Sequence, residues 1–220
     1  MDKIYLKDYK KPPYEVKTID LEFELHDTNT LVKSKMELLR VGNENEPLFL
    51  NGEELELVCV VLDGRELHES EYELSEQGLS LHKLPQEFSL EIQNRINPEA
   101  NTALDGLYKS GGIFCSQNEP EGFRRITYFI DRPDVMAVYS TKIIADKKEY
   151  PVLLSNGNLF EKGDIEGGKH YAIWKDPFPK PSYLYALVAG DLGCVNDSFM
   201  TMNNNEIELN IYCDKGNEAQ

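Results

Sequence analysis

The segment Ser110–Arg125 holds the residues of this chain that are best suited to binding a charged ligand. Its residues include a glycine pair, an amide, two carboxylates and two guanidinium groups, at Gly111, Gly112, Gln117, Glu119, Glu121, Arg124 and Arg125. Glycine lets a backbone approach a ligand closely, and Pro120 restricts the chain directly after Glu119. A carboxylate fixed in this way can bind an ammonium group. The same residue types also fit an ordinary acidic turn in which an arginine is the ion-pair partner.

The side chains that catalysis would require are missing. A catalytic zinc needs three converging protein ligands, commonly including two histidines one helical turn apart. The four histidines stand singly, at His26, His68, His82 and His170, and no H-x-x-x-H occurs. The nucleophile motif G-x-S-x-G and the glycine-rich phosphate motifs are also missing from the sequence. We therefore predict no catalytic residue and no metal ligand in this chain, and we assign the histidines to surface or strand-edge positions.

Alternating hydrophobicity predicts the β-strands that position this segment. Leu21, Phe23 and Leu25 alternate with acidic residues, and Leu31–Val41 alternates again. The turn-forming residues 27–30 between them predict an antiparallel hairpin. Further strands are predicted at Leu48–Leu50, Leu55–Leu62, Tyr72–Leu74, Leu79–His82 and Phe88–Ile96. Short strands with closely spaced turns are typical of an all-β sandwich or open barrel.

The second half of the chain continues this pattern and then changes character. Strands are predicted at Arg125–Phe129, Tyr139–Ala145, Val152–Leu154, His170–Trp174 and Tyr183–Ala189, with a tight loop or single helical turn at Asp131–Asp134. The polar stretch Asp197–Asn205 is interpreted as a linker, and Glu206–Cys213 as one more alternating strand. We therefore predict a β domain at 1–191 and, at 192–220, a linker and the first strand of a further domain. The sequence stops where another element is expected.

Composition excludes several classes of partner. With 220 residues and 40% hydrophobic content the chain can bury a substantial core. The net charge of −16 argues against binding to nucleic acid or to anionic lipid. No apolar run approaches the roughly 18 residues of a membrane span, and the N-terminus lacks the apolar core of a secretory signal. The four cysteines form no C-x-x-C pair, so we interpret them as reduced thiols and expect a cytoplasmic protein.

Long motifs occur in order between residues 101 and 191. They are Asn101–Tyr108, the Q-x-E-x-E-G-F-R block at Gln117–Arg124, Ile126–Tyr128, Asp131–Val135, Leu153–Asn158, Asp176–Leu184 and Ala186–Asp191. Together they closely resemble the bacterial aminopeptidase N branch of the gluzincin, or M1-type, zinc metallopeptidases. In that family the N-terminal domain is a saddle-shaped β-sandwich or open barrel packed against a thermolysin-like catalytic domain, and the resemblance implies the same fold here.

The resemblance also implies roles for individual residues. It implies that Glu119 binds the free α-amino group of a peptide substrate and that Gln117 lines the same pocket. A peptide's α-amine is largely protonated near pH 7, so a fixed carboxylate recognises it and measures one residue to the cleaved bond. Four other charged residues of the motifs are expected to be ion-pair partners that support the loop: Glu121, Arg124, Asp131 and Arg132.

Other family motifs have no counterpart in the sequence. These are the H-E-x-x-H zinc helix with its downstream glutamate, the G-x-M-E-N strand and the transition-state tyrosine, which in the family follow the point where this chain stops. The resemblance thus implies that 192–220 opens a thermolysin-like catalytic domain, and that the fragment itself is inactive and binds no zinc. In the intact enzyme, water deprotonated by the H-E-x-x-H glutamate would attack a zinc-polarised carbonyl. The implied partners are peptide N-termini and the catalytic domain of the same chain.

Two other functions remain open at this point. A free-standing β-sandwich module that binds carbohydrate or protein would have a uniformly polar surface. A structural or adhesion domain also fits the strand pattern, but it leaves the segment around Glu119 without a role. The enzyme hypothesis predicts instead a large exposed apolar face, because a catalytic domain would cover it.

Overall fold

The computed structural model describes residues 5–219; residues 1–4, at the N-terminus where no signal sequence is predicted, and Gln220 lie outside this range. Strands make up 57% of the structure, which confirms the predicted all-β class. Between residues 5 and 219 no helix is long and apolar enough to cross a membrane. The strands are β1 (Tyr14–Glu24), β2 (Thr30–Arg40), β3 (Leu48–Asn51), β4 (Glu56–Leu62), β5 (Arg65–Glu66), β6 (Tyr72–Ser75), β7 (Gly78–Leu81), β8 (Glu87–Ile96), β9 (Gly106–Ser110), β10 (Ile113–Gln117), β11 (Met136–Asp146), β12 (Val152–Ser155), β13 (Asn158–Ile165), β14 (Lys169–Pro181), β15 (Leu187–Gly190), β16 (Leu192–Met200) and β17 (Glu206–Asp214). Short 3₁₀ turns lie at Leu6–Asp8, Glu69–Glu71, Phe123–Arg125 and Ser182–Leu184.

The largest sheet has eight strands in the order β13-β14-β11-β1-β2-β8-β4-β5. At its centre is the predicted hairpin, in which β1 and β2 pair antiparallel from Tyr14 opposite Arg40 to Glu24 opposite Leu31. On its other side β1 pairs in parallel with β11. Parallel neighbours cannot be joined by a tight turn, and here the connection is the whole of residues 25–135.

One face of this sheet forms the core because the side chains alternate along each strand. In β1 the buried residues are Tyr14, Val16, Ile19, Leu21 and Phe23, with a register shift between Val16 and Thr18. A bulge of this kind inserts one residue, which keeps the apolar set on a single face although the spacing in the sequence is irregular. The alternation that predicted this strand is therefore confirmed.

Two smaller sheets contribute buried residues to the same core, and their strand orders are β12-β15-β10-β9 and β3-β7-β6. The four-stranded sheet carries the candidate site through β10. Aromatic rings outside these two sheets also pack into the core. The Phe123 ring centroid lies 5.2 Å from that of Phe129 and 5.3 Å from that of Tyr185. Tyr185 in turn stacks on Phe23 of β1, with ring centroids 6.3 Å apart. Through Phe123 and Tyr185 the candidate segment is therefore packed directly against the core.

In the second half, one predicted strand is wrong and another is confirmed only in its last part, at residues 187–189. Arg125–Phe129 is not a strand: a 3₁₀ turn ends at Arg125, and only Phe129 forms an isolated bridge, to Asn51. The segment is apolar because it is buried, and buried residues outside a ladder give the same sequence signal as a buried strand. Likewise, predicted strand Tyr183–Ala189 begins as a 3₁₀ turn, and β15 begins only at Leu187.

The predicted linker Asp197–Asn205 is also wrong as far as Met200, because β16 and β17 pair along their whole length into a separate two-stranded sheet. Pairs on one side of this hairpin are polar, whereas those on the other side are mostly apolar. We call the second side the apolar hairpin face; it comprises Val195, Phe199, Ile207, Leu209 and Ile211. Phe199 is 59% and Ile211 is 62% exposed, so this side of the hairpin presents apolar side chains to solvent.

A small polar cluster ties the β1–β2 turn to the four-stranded sheet. The Lys109 ammonium lies 2.7 Å from Asp27 Oδ1, and the Tyr150 hydroxyl donates to the same oxygen at 2.9 Å. The hydrogen bond from Lys109 holds the pKa of Asp27 below its usual value of 3.8, although partial burial acts in the opposite direction. The charged form of Asp27 is therefore favoured by folding.

The change Asp27→Asn should therefore destabilise the chain in a pH-dependent way. Because the folded-state pKa is lowered, the contribution of Asp27 is complete well above pH 3.8 and is lost as the pH falls through the folded pKa. Since Asp27 is partly exposed, we expect the free energy of unfolding of Asp27→Asn to be about 1 kcal/mol below that of the wild type at pH 7. This difference should shrink below about pH 4. Urea unfolding across this pH range measures the difference, and a pH-independent difference would contradict the role of the Asp27 charge.

Candidate functional site

A β-hairpin sets the position of the segment that the sequence singled out. Strands β9 and β10 pair from Ser110 opposite Ile113 to Gly106 opposite Gln117. The two-residue turn between them is made by Gly111 and Gly112, with φ of 58° and 86°, which glycine adopts without strain. The segment Ser110–Arg125 is therefore not a single loop, because strand β10 runs as far as Gln117. The loop proper, called the 118–122 loop below, runs from Asn118 to Gly122.

The two predicted substrate-binding residues lie side by side on the surface. Gln117 and Glu119 are both exposed, and Gln117 Nε2 donates to the backbone oxygen of Glu119 at 3.4 Å. Within residues 5–219 the Glu119 carboxylate makes no hydrogen bond or ion pair of its own. An unpaired carboxylate beside an amide oxygen and its own backbone offers acceptors to a cationic group, which is the chemistry of ammonium binding.

The base of the 118–122 loop is buried. Asn118 is 2% exposed, and its Nδ2 donates to the backbone oxygen of Tyr185 at 2.7 Å. The Gly122 amide donates to the oxygen of Asn118 at 2.9 Å and closes the loop. A Cβ at Gly122 would lie 2.5 Å from the oxygen of Gln117, so this turn requires glycine. The Glu119–Pro120 peptide bond at the apex is cis.

The sequence does not mark Asn118 or Tyr185 as functional residues. Asn118 stands between the two chemically suggestive residues of Q-x-E, and an asparagine in a polar loop looks like a turn residue. Tyr185 was assigned to a strand on its apolarity alone. No pattern in the sequence shows that an amide and a carbonyl 67 positions apart are in contact.

An ion-pair network supports the loop from its C-terminal side. Asp131 Oδ2 accepts from Arg124 Nε at 2.9 Å and from the Arg124 backbone at 3.2 Å, while Ser182 Oγ donates to Asp131 Oδ1 at 2.6 Å. Arg124 also reaches the exposed Glu121, at 3.3 Å. The Asp131 side chain is only 2% exposed. Three of the four residues predicted to support the loop, Glu121, Arg124 and Asp131, therefore do lie together.

Arg132 lies elsewhere, despite its place in the same motif. Its guanidinium binds both carboxylate oxygens of Asp134, at 2.8 and 2.7 Å, and the backbone oxygen of Lys10 at 2.9 Å. Tyr9 donates to Asp134 at 2.9 Å. The structure therefore does not place Arg132 with the loop, and its contacts fasten the N-terminal segment to the large sheet instead.

A buried lysine lies beside Tyr139, whose ring packs against those of Phe123 and Tyr185. Lys180 is 8% exposed, and its ammonium group donates to Asp176 Oδ2 at 2.6 Å. The same group lies 4.4 Å from the ring centroid of Tyr139, in a cation–π geometry. Burial lowers the pKa of Lys180, and the Asp176 carboxylate opposes this shift. The Lys180 ammonium group is thus already paired within the protein, with the Asp176 carboxylate and the Tyr139 ring.

The residues of this part of the chain do not fit a zinc site. Among residues 5–219 there is no group of three or more His, Cys, Asp or Glu side chains arranged to hold a metal ion. The four cysteines are all free thiols. The zinc that the resemblance implies therefore has no set of ligands in the described residues.

Known proteins are similar to this chain over almost its whole length. The model of the Peptidase M1 N-terminal domain matches residues 10–184. Aminopeptidase N of Caulobacter vibrioides is 49% identical over 217 residues, which cover 99% of this chain and 25% of the relative. Aminopeptidase N of Escherichia coli is 48% identical over 213 residues, which cover 97% and 24%. The chain thus spans about a quarter of the length of the curated relatives it matches.

A solved structure has the same fold. The crystal structure of Legionella pneumophila aminopeptidase A in complex with aspartic acid superposes with a TM-score of 0.91 at 38% identity, over 96% of this chain and 25% of that chain. The family match covers the eight-stranded sheet, the 118–122 loop and the network around Asp131. On this evidence the chain belongs to the Peptidase M1 N-terminal domain family.

Proposed function

We propose that this chain is the N-terminal, substrate-framing domain of a zinc aminopeptidase that removes N-terminal amino acids from peptides. Both curated relatives described above are aminopeptidases N, and the similar solved structure, an aminopeptidase A, holds an amino acid. The domain contributes recognition of the substrate. The zinc and the catalytic groups belong to the part of the enzyme outside residues 1–220. A cytoplasmic location forms part of the proposal and is supported by the four free thiols.

The observation that carries this proposal is the unpaired Glu119 carboxylate on an anchored loop. Since the α-amine of a peptide is largely protonated near pH 7, it pairs with an exposed carboxylate. The buried base of the loop and the Arg124–Asp131 network hold the backbone that carries this carboxylate. The amino end of the substrate is then held there too, with Gln117 beside it. A fixed distance from that point to the cleaved bond selects single N-terminal residues.

The deciding experiment is hydrolysis of an alanyl chromogenic substrate by the full-length protein, with the wild type compared with Glu119→Ala. Loss of activity in the variant supports the proposed role of Glu119. A full-length protein without aminopeptidase activity would leave a β-sandwich binding module as the better description of this chain.

We further propose that residues 1–191 form the N-terminal domain and that 192–220 open a thermolysin-like catalytic domain. The family match ends at residue 184, before β16 begins. The apolar hairpin face is exposed in this chain, and exposed apolar patches of this kind mark interaction surfaces. Relatives four times as long supply the remaining polypeptide that could cover it. In the full-length protein we therefore expect this face to be buried.

This domain assignment predicts that Ile211→Thr has a different effect in the two lengths of protein. Threonine keeps the branched shape that suits a strand and removes apolar surface. In the 220-residue chain, where Ile211 is 62% exposed, the change should cost about 0.5 kcal/mol or less. In the full-length protein it should cost about 2 kcal/mol, because a hydroxyl replaces a buried ethyl group. Urea unfolding of both forms measures this, with Glu208→Gln on the polar side as the control. Equal small effects in both forms would contradict burial of the hairpin face.

A further inference from the structure

The exposed part of the 118–122 loop is held at both ends by one residue of the core, Tyr185. On one side, Asn118 Nδ2 donates to the Tyr185 backbone oxygen at 2.7 Å. On the other side, the Phe123 ring meets the Tyr185 ring edge-on, with centroids 5.3 Å apart. Tyr185 is 3% exposed and also packs against Tyr139 at 5.8 Å. Both ends of the loop are therefore anchored on the same tightly packed residue, Tyr185.

The contact made by Asn118 allows one orientation only. Its partner is a carbonyl, so the atom that faces it must be the amide nitrogen. The side chain is buried, and water does not compete for this hydrogen bond. Asn118 directly precedes Glu119, and its own backbone oxygen accepts from the Gly122 amide. The backbone of Glu119 therefore takes its position from Asn118.

The Glu119 side chain has no comparable support. Its carboxylate makes no hydrogen bond or ion pair within residues 5–219. The one nearby side-chain contact, from Gln117 Nε2, reaches the Glu119 backbone at 3.4 Å and is long for a hydrogen bond. The position of the carboxylate thus depends on the backbone, and the backbone depends on the bond from Asn118 to Tyr185.

We propose that Asn118 is a positioning residue for recognition of the substrate's α-amino group, acting through its hydrogen bond to the Tyr185 carbonyl and through Glu119. The inference rests on the proposed role of Glu119. It adds a residue that touches neither substrate nor metal, and it predicts which property changes when that residue is lost. Binding energy that comes from the α-amine should fall, whereas binding energy from the rest of the ligand should not.

Two probes that differ only in the α-amine separate these contributions. Alanine hydroxamate carries the amine, and propanoyl hydroxamate lacks it. The ratio of the dissociation constant of propanoyl hydroxamate to that of alanine hydroxamate, measured by calorimetry on the full-length enzyme, reports the amine contribution alone. For Asn118→Ala we expect this ratio to fall about fivefold, as the loss of one buried hydrogen bond implies. The dissociation constant of propanoyl hydroxamate should stay at the wild-type value.

Asn94 provides a closely matched control. It is 0% exposed, its Nδ2 donates to the backbone oxygen of Ile126 at 2.9 Å, and its side-chain oxygen, like that of Asn118, lacks a hydrogen-bond partner among residues 5–219. Asn94→Ala should lower the stability of the protein as Asn118→Ala does and leave the amine ratio unchanged. An equal fall in both variants would mean general loosening of the domain and would overturn the inference.

Each remaining outcome also decides the question. If Asn118→Ala does not fold, Asn118→Ser, whose shorter side chain does not reach the Tyr185 carbonyl, should show the same fall. A wild-type ratio in a folded Asn118 variant overturns the positioning role while Glu119→Ala still lowers the ratio. A wild-type ratio in Glu119→Ala itself overturns the proposed role of Glu119, and the role of Asn118 with it.

Discussion

Replacing Glu119 by alanine is expected to lower kcat/KM of the full-length enzyme for an alanyl substrate by about 100-fold, the typical cost of removing one partner of a charge pair at a binding site. The α-ammonium group would lose its carboxylate, and the substrate would no longer be held by its amino end. The measurement is hydrolysis of an alanyl chromogenic substrate at pH 7 by wild type and variant.

Glu121 provides the control for this prediction. It belongs to the same loop and carries the same charge, but its carboxylate is 61% exposed and pairs with Arg124 at 3.3 Å. Since exposed pairs of this kind contribute little, Glu121→Ala should lower kcat/KM by about fivefold or less. If Glu119→Ala and Glu121→Ala have the same effect, the general negative charge of the loop is what matters, and a specific amine site at Glu119 is excluded.

The second large effect is expected for Asp131→Asn, which should lower the stability of the chain. The Asp131 side chain is 2% exposed, and that of Arg124 is 15% exposed. Removing the charge leaves the Arg124 guanidinium partly buried without its main partner, and loss of one member of a buried pair costs about 3 kcal/mol. The free energy of unfolding in urea, measured for the 220-residue chain at pH 7, should fall by about this amount.

Asp134→Asn is the matched control, because the residue lies three positions away and also pairs with an arginine. Its side chain is 28% exposed and that of Arg132 is 38% exposed. Exposed pairs are worth about 1 kcal/mol or less, so this variant should unfold close to wild type. Similar losses for the two variants would show that burial of the Arg124–Asp131 pair does not determine its contribution.

The elements that sequence reasoning predicted correctly are those in which a buried face leaves a period of two. The β1–β2 hairpin has this pattern on both strands, and its turn has the expected residue types. β13, which the sequence did not predict, shows the opposite case. All of its residues except Gly163 are exposed, so no alternation marks it, and only its ladder with β14 makes it a strand.

The sequence predicted part of the candidate site. Glu119 and Gln117 stand out because of their chemistry and the motif around them, and the motif also predicted Arg124 and Asp131 as supporting residues. The contacts between distant segments were not predictable: Asn118 with Tyr185, and Asp131 with Ser182. The pairing of Arg132 with Asp134 was not predicted either. Arg132 follows Asp131 directly in the sequence, but this does not bring its side chain into the network around Asp131.

The parallel pairing of β1 with β11 has a consequence for how the protein is made. A ribosome releases residues 14–24 long before residues 136–146, and the two strands are neighbours in the finished sheet. At typical rates of synthesis, about 10 s pass during which one edge of β1 has no strand beside it. Open strand edges invite pairing with other chains, so this interval is the time at which the nascent polypeptide is most exposed to aggregation and most dependent on chaperones.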